Sequence, residues 1–182
     1  MLATVVTTQE ELQQIIELSD KNLRTKISVE EKKSEGFVSW NYSLELLQKM
    51  NAQYPHVIVK DNNKVVGYAL VALKEARHFH LSLDAMVNHL EQLTFNDKKL
   101  SGYKYYVMGQ ICVAKKYRGR GVFRMLYQQH KILFENDYDF VVTEISTSNT
   151  RSLRAHEKIG FKTVYTYPDD MDEWNVVLWN WE

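Results

Sequence analysis

The stretch Tyr117–Phe123, YRGRGVF, decides how this chain is read. An apolar run, YYVMGQICVA (105–114), ends just before it, and an amphipathic run, RMLYQQHKILFE (124–135), follows. A strand, a glycine-bearing turn and a helix make an anion site, because a helix start leaves backbone N–H groups free and carries partial positive charge. Gly119 and Gly121 let a ligand approach the backbone closely, and Arg118, Arg120 and Arg124 add guanidinium forks suited to phosphate oxygens. The Gly-Lys-Ser/Thr ending of a nucleotide-triphosphate loop is absent. The dinucleotide pattern G-x-G-x-x-G is absent too, since Arg124 holds the third-glycine place. Taken alone, the loop leaves three readings open: a phosphate site, a nucleotide site of another kind, or a basic turn whose glycines serve backbone geometry only.

Outward from the loop, the chain alternates strands and helices. ATVVT reads as a short strand, and Thr8 with Glu11 forms a capping box at the start of a helix carrying Leu12, Ile15, Ile16 and Leu23. SEGFVSWNY (34–42) breaks that helix, and Ser43 caps a second one, LELLQKMNA. HVIVK and VVGYALVALK, joined by the turn DNNK, read as a hairpin over 56–73. The section 74–103 is less regular and holds one helix, SLDAMVNHLEQL, with Met86, Leu90 and Leu93 on one face. The helix after the glycine loop shows Val122, Leu126 and Leu133 as its stripe and runs to about Glu135. YDFVVTEIS is a buried strand, because its apolar run is continuous and β-branched. NTRSLRAHEKIG is a helix capped at Asn149 and stopped by Gly160 at the C′ position, and FKTVYTY and EWNVVLWNW close the chain as strands. The order predicts an α/β protein with a mixed sheet covered by helices on both faces: antiparallel in the hairpins and parallel in the second half.

Bulk composition narrows the function classes. The 182 residues suit one domain, spanning 1–182. Acidic and basic residues balance at 23 each, so nothing supports bulk binding to nucleic acid or an anionic membrane. A single cysteine excludes an internal disulfide and fits a reducing compartment. The N-terminus lacks the basic and apolar regions of a signal peptide, and the apolar runs are too short for a bilayer. The expectation is a soluble, cytoplasmic protein.

A second motif joins the loop. ICVAKKYRGRGVFRMLYQQH followed by FVVTEISTSNTRSLRAHEKIGF resembles the GNAT family of N-acetyltransferases, in motif detail from about Tyr105 to Phe161. In that family an apolar-x-Val strand end, here Ile111–Val113, leads into Arg/Gln-x-x-Gly-x-Gly/Ala, here Arg118 to Phe123, with Phe123 departing from the small residue expected last. Further on the family has an Asn at a helix start, here Asn149, an aromatic hydroxyl seven residues later, and Lys-x-Gly-Phe, here Lys158–Phe161. The hydroxyl position holds His156.

The resemblance implies a mostly antiparallel, twisted sheet whose splayed central strands hold CoA. It implies acetyl-CoA as co-substrate, no metal, and direct transfer to a primary amine in a ternary complex. The cofactor residues it implies are Ile111, Cys112, Val113, the loop from Arg118 through Gly119, Arg120, Gly121, Val122 and Phe123 to Arg124, and Asn149, Ser152 and Lys158. The Val113 amide would polarise the thioester carbonyl. His156 stands where the family's proton donor to the leaving thiolate would be, or else fills the helix–sheet gap. Glu144, near the end of the buried strand, is a candidate base for the amine, and so is a water on the Gln110 side with no side-chain base. Cys112 reads better as a small buried hydrophobe than as a nucleophile.

For the acceptor, Phe37, Trp40 and Tyr42 offer an aromatic wall in the link between the first helices, or seal the core there. Residues 74–103, where the family has a tight hairpin turn, read as a helical insertion that shapes the pocket or meets a partner. His78, His80 and His89 lack a cysteine or acidic ligand at zinc spacing. The late tryptophans Trp174, Trp179 and Trp181 fit edge-strand packing, a homodimer contact or a ligand. The acceptor is a small molecule or a peptide amine, and a non-catalytic acyl-CoA-binding module is the alternative to an enzyme.

Overall fold

The computed structural model describes residues 1–182, the side chain of Lys33 excepted. The chain runs β1 (Leu2–Val5), α1 (Gln9–Asp20), α2 (Val29–Glu35), α3 (Leu44–Gln53), β2 (Val57–Asp61) and β3 (Lys64–Ala72). A 3₁₀ turn (Lys74–Phe79), α4 (Leu81–Gln92) and the two-residue strands β4 (Thr94–Phe95) and β5 (Lys98–Lys99) follow. Then come β6 (Tyr105–Val113), α5 (Val122–Phe134), β7 (Phe140–Ser146), α6 (Thr150–Glu157), β8 (Lys162–Pro168) and β9 (Glu173–Trp179). Seven strands form one sheet in the order β1-β2-β3-β6-β7-β9-β8. Helices α1, α3 and α4 pack on one face and α5 on the other, each face closing its own apolar core.

The capping signals act where the residues place them. Thr8 and Glu11 bond reciprocally at the start of α1, and Ser43 accepts the Leu46 amide at the start of α3. Three expectations need correction. The first helix ends at Asp20, and a separate helix, α2, begins at a second capping box, Ser28 with Glu31. Parallel pairing is confined to one strand pair, because β9 turns back antiparallel between β7 and β8. Helix α6 ends at Glu157 with Lys158 as its cap, so Gly160 lies one position beyond C′.

The parallel pair, β6 with β7, is matched only over Tyr105–Val107 against Phe140–Val142. The cause lies in β6. Opposite Leu70 of β3, between the pairs Ala69–Ile111 and Val71–Met108, β6 fits two residues, Gly109 and Gln110. The bulge flips side-chain parity: Tyr105 and Val107 share a core with Cys112, while Tyr106 and Met108 share the other with Val113. Gln110 is held in place, accepting from Ser19 Oγ and the Tyr68 hydroxyl and donating to the Trp40 carbonyl. Bulges bend and twist a strand. Beyond this one β6 leaves β7, and a gap opens between the central strands.

Candidate active site

Two cavities meet at that gap. One, of about 420 Å³, lies between the end of β6, the start of α5 and α6. The other, of about 590 Å³, lies under the Phe37–Tyr42 link and α4, with β7 and the β8–β9 turn as its far wall. Both are lined by Phe37, Val38, Ile111, Asn149 and Ser152.

The first cavity contains the glycine loop. Gly119 and Gly121 have φ of +72° and +83°, left-handed values that favour glycine. Gly121 is the N-cap of α5 and offers no side-chain cap, so the first amides of that helix, from Val122 through Arg124, face the cavity without a helical partner. A 13-residue helix adds its dipole to those amides. On β6 the Ala114 amide donates back to Val66 of β3. Antiparallel alternation then directs the Ile111 and Val113 amides away from β3, into the gap.

The arginines divide their work. Arg118 turns inward: Nε donates to the Val113 carbonyl at 3.0 Å, Nη1 to the Glu35 carboxylate and Nη2 to Asn22 Oδ1 at 2.6 Å. Its fork is occupied by protein groups and ties α2 and the end of α1 to β6, so the loop offers a phosphate its backbone rather than this side chain. Arg120 lies over the Tyr117 ring, and Arg124 lines the cavity. Arg151, which the sequence did not single out, lines it too and shares Glu35 with Arg118. Asn149 caps α6 through the Ser152 amide and donates from Nδ2 to the Phe37 carbonyl at 2.8 Å. Cys112 lines the cavity wall, and burial pushes its thiol up to about 12, a poor nucleophile.

His156 is only 1% exposed. Its Nδ1 lies 2.8 Å from the Ser152 carbonyl, which can only accept, so Nδ1 carries the proton. Its Nε2 then accepts from the Tyr127 hydroxyl at 2.7 Å. Burial holds the ring down to about 4, with the Ser152 carbonyl opposing. Both nitrogens are engaged within the protein, burial favours the neutral ring, and the side chain lies against the wall of the second cavity.

Glu144 lies on β7 and lines the second cavity. Burial pushes its carboxyl up to about 7, the nearby Tyr167 hydroxyl opposing and the Asp169 charge adding. Its Oε1 is buried and meets no hydrogen-bond partner among the described residues. The three expected aromatics divide: Trp40 and Tyr42 pack at 4.3 Å between ring centroids, and Tyr42 is buried, donating to the Gly109 carbonyl. Tyr42 therefore braces the bulge while lining the second cavity, Trp40 faces both that cavity and the core, and Phe37 lines both cavities. Sequence reading missed Tyr167 and Asp169 on the opposite wall, which no motif marks, and left Trp174, which lies there too, between packing, a partner contact and a ligand. It named His89 without a role, and His89 packs on Tyr167 at 4.1 Å. No group of three His, Cys, Asp or Glu among the described residues is arranged to hold a metal ion, and no helix is long and apolar enough to cross a membrane.

An uncapped helix start and a carboxylate thus lie on either side of a split parallel pair. The chain belongs to the acetyltransferase (GNAT) family, whose model matches residues 17–161. Among solved structures it is similar to the NatC complex bound to Gag peptide and CoA, at 14% identity and a TM-score of 0.66 over 98% of this chain and 97% of that one. It is similar to the ribosomal-protein-alanine N-acetyltransferase of Brucella melitensis, at 16% identity and 0.63 over 99% of both. A third is yncA of Salmonella typhimurium with acetyl-CoA, at 14% and 0.64 over 100% and 94%. No curated protein sequence matches this one. At these identities the structures speak for the fold: the mixed, mostly antiparallel sheet with helices around it.

Proposed function

We propose that the protein transfers an acetyl group from acetyl-CoA to a primary amine, directly, with both substrates bound at once. The observation that carries this is the junction of the two cavities at Ile111 and Asn149. One cavity has free amides for a pyrophosphate and the other has a carboxylate for an ammonium. The backbone from Gly119 to Arg124 takes the pyrophosphate, with Arg124 and Lys158 beside it. The arm of the co-substrate lies along the free edge of β6, and the Val113 amide donates to the thioester oxygen as negative charge develops there. Glu144 accepts a proton from the ammonium, and the freed nitrogen attacks the carbonyl carbon. As the C–N bond forms and the C–S bond breaks, the thiolate leaves and takes up the proton that the new amide nitrogen sheds. His156, sealed under α6, shapes the floor.

Two fold relatives agree with this reading, one for a peptide acceptor and both for the co-substrate. NatC was solved with a peptide and CoA, and yncA with acetyl-CoA. The co-substrate is tested by thermal unfolding with acetyl-CoA against ATP. At 100 times its dissociation constant a ligand stabilises by about 2.7 kcal/mol, a rise of about 5–10 °C at this size. A rise with acetyl-CoA and none with ATP is expected, and no rise overturns the reading. Acetyl transfer to an amine then separates an enzyme from a binding module.

A further inference from the structure

The walls of the acceptor cavity carry an uneven chemistry. Aromatic rings line two sides, Trp40 on one and Tyr167 under His89 on the other. Met86 and Met108 add flexible apolar surface. The only carboxylates are Glu144 and Asp169, and no lysine or arginine lines the cavity among the described residues. Asp169 is fixed: its Oδ1 accepts the Met171 and Asp172 amides, both at 2.8 Å. Burial pushes its carboxyl up, but the Trp174 side chain and those two amides outweigh this and keep it below the ordinary range. The turn that carries it is tied down by Arg24, which donates to Asp172 at 3.0 Å, and by Ser146, which donates to the same oxygen at 2.7 Å.

Resting on the acetyl-transfer reading, we infer that the acceptor is an apolar, preferably aromatic, primary amine with no carboxylate or phosphate beside its nitrogen. A cation finds Glu144, whose buried Oε1 has no partner among the described residues, and an apolar body finds rings and thioethers. An anionic substituent finds no lysine or arginine to pair with and meets two carboxylates, Glu144 half-buried and Asp169 at the exposed rim, so it is disfavoured. At about 590 Å³ the cavity falls in the range of roughly 300–1,000 Å³ that holds a small molecule or the first residue of a peptide. Both sources share this chemistry: an arylalkylamine lacks the carboxylate, and a peptide end has a neutral amide in its place.

The test compares 2-phenylethylamine, phenylalaninamide and phenylalanine as acceptors, with acetyl-CoA binding followed in parallel by thermal shift. Measured above pH 7, where Glu144 is ionised, the kcat/KM for phenylalanine is expected to lie about tenfold or more below that of the better neutral analogue, the scale of a like-charge clash at one half-buried and one exposed carboxylate. In Asp169→Asn, whose amide oxygen still accepts the two turn amides, the ratio is expected to narrow at least about threefold through a lower KM for phenylalanine, since one of two repelling charges is gone. Preference for phenylalaninamide over phenylethylamine assigns the site to peptide ends, and the reverse assigns it to small amines. Phenylalanine used as well as its amide, or no neutral amine used while acetyl-CoA still binds, overturns the inference and leaves the co-substrate intact. Loss of the acetyl-CoA shift itself overturns the function reading instead.

Discussion

Glu144 reaches the cavity through strand register: it pairs opposite Val176 of β9, two residues before β7 ends beside Asn149. Its raised titration, at about 7, makes the ionised base available only as the solution passes neutrality. The kcat/KM for an amine is therefore expected to climb through pH 7 and level off above it, apart from the amine's own titration. Glu144→Gln is expected to lose about 10²–10⁴ in kcat and to erase that limb, checked by a pH–rate profile at saturating acetyl-CoA. His156 is expected to act on stability. Tyr127→Phe removes the one donor to its Nε2 and leaves a buried acceptor unpaired, a cost of about 1–3 kcal/mol in urea unfolding. Turnover of the folded fraction should not change, and a kcat that fell in parallel would restore His156 to the chemistry. The residue letters alone pointed to both side chains. Their burial depends on neighbours distant in sequence: Tyr167 for one and Tyr127 for the other.

At the scale of elements, the loop and helix α5 were legible because their signals are local. Two glycines, an amphipathic stripe and an absent side-chain cap are all read within a dozen residues. Helix α2 was equally marked, by Ser28 and Glu31 at capping-box spacing, yet its few apolar residues hid it inside a longer expected helix. What holds α2 over the first cavity is long-range: Glu35 with Arg118 and Arg151, and Glu31 with Lys115. Arg118→Ala is expected to free it. Amide exchange over 28–35 should rise while α5 stays protected, with a stability loss of about 1–3 kcal/mol, because the charge-assisted bonds of a largely buried fork are lost. Unchanged exchange in α2 would show that packing alone holds it.

For the whole molecule, the sheet encloses three histidines that stay neutral. Burial holds His56 down to about 4, His130 to about 3 and His156 to about 4, and backbone groups oppose it only in part. The unfolded chain would protonate all three near pH 6.5. Between about 6.5 and 4 the unfolded state thus binds more protons, and each histidine withdraws up to about 1.4 kcal/mol of stability per pH unit as the solution is acidified. Glu144 works the other way below 7, since its folded form binds the proton first. Three against one leaves a net loss, so urea midpoints are expected to fall steadily from pH 7 to pH 5. A flat midpoint would mean that water reaches the rings.

The family, the order of most elements, the glycine loop and Asn149 were determined by the sequence alone, because each rests on local spacing that no distant contact overrides. Tertiary structure decided the rest. It spent Arg118 on α2, sealed His156, and brought Asp169 and Tyr167 across from Trp40. At the centre, a bulge at Gly109–Gln110 falls where β6 stops pairing with β7, and two cavities that share a wall open there. A bulge is a mismatch between two strands, and a chain read one residue at a time holds only one side of it.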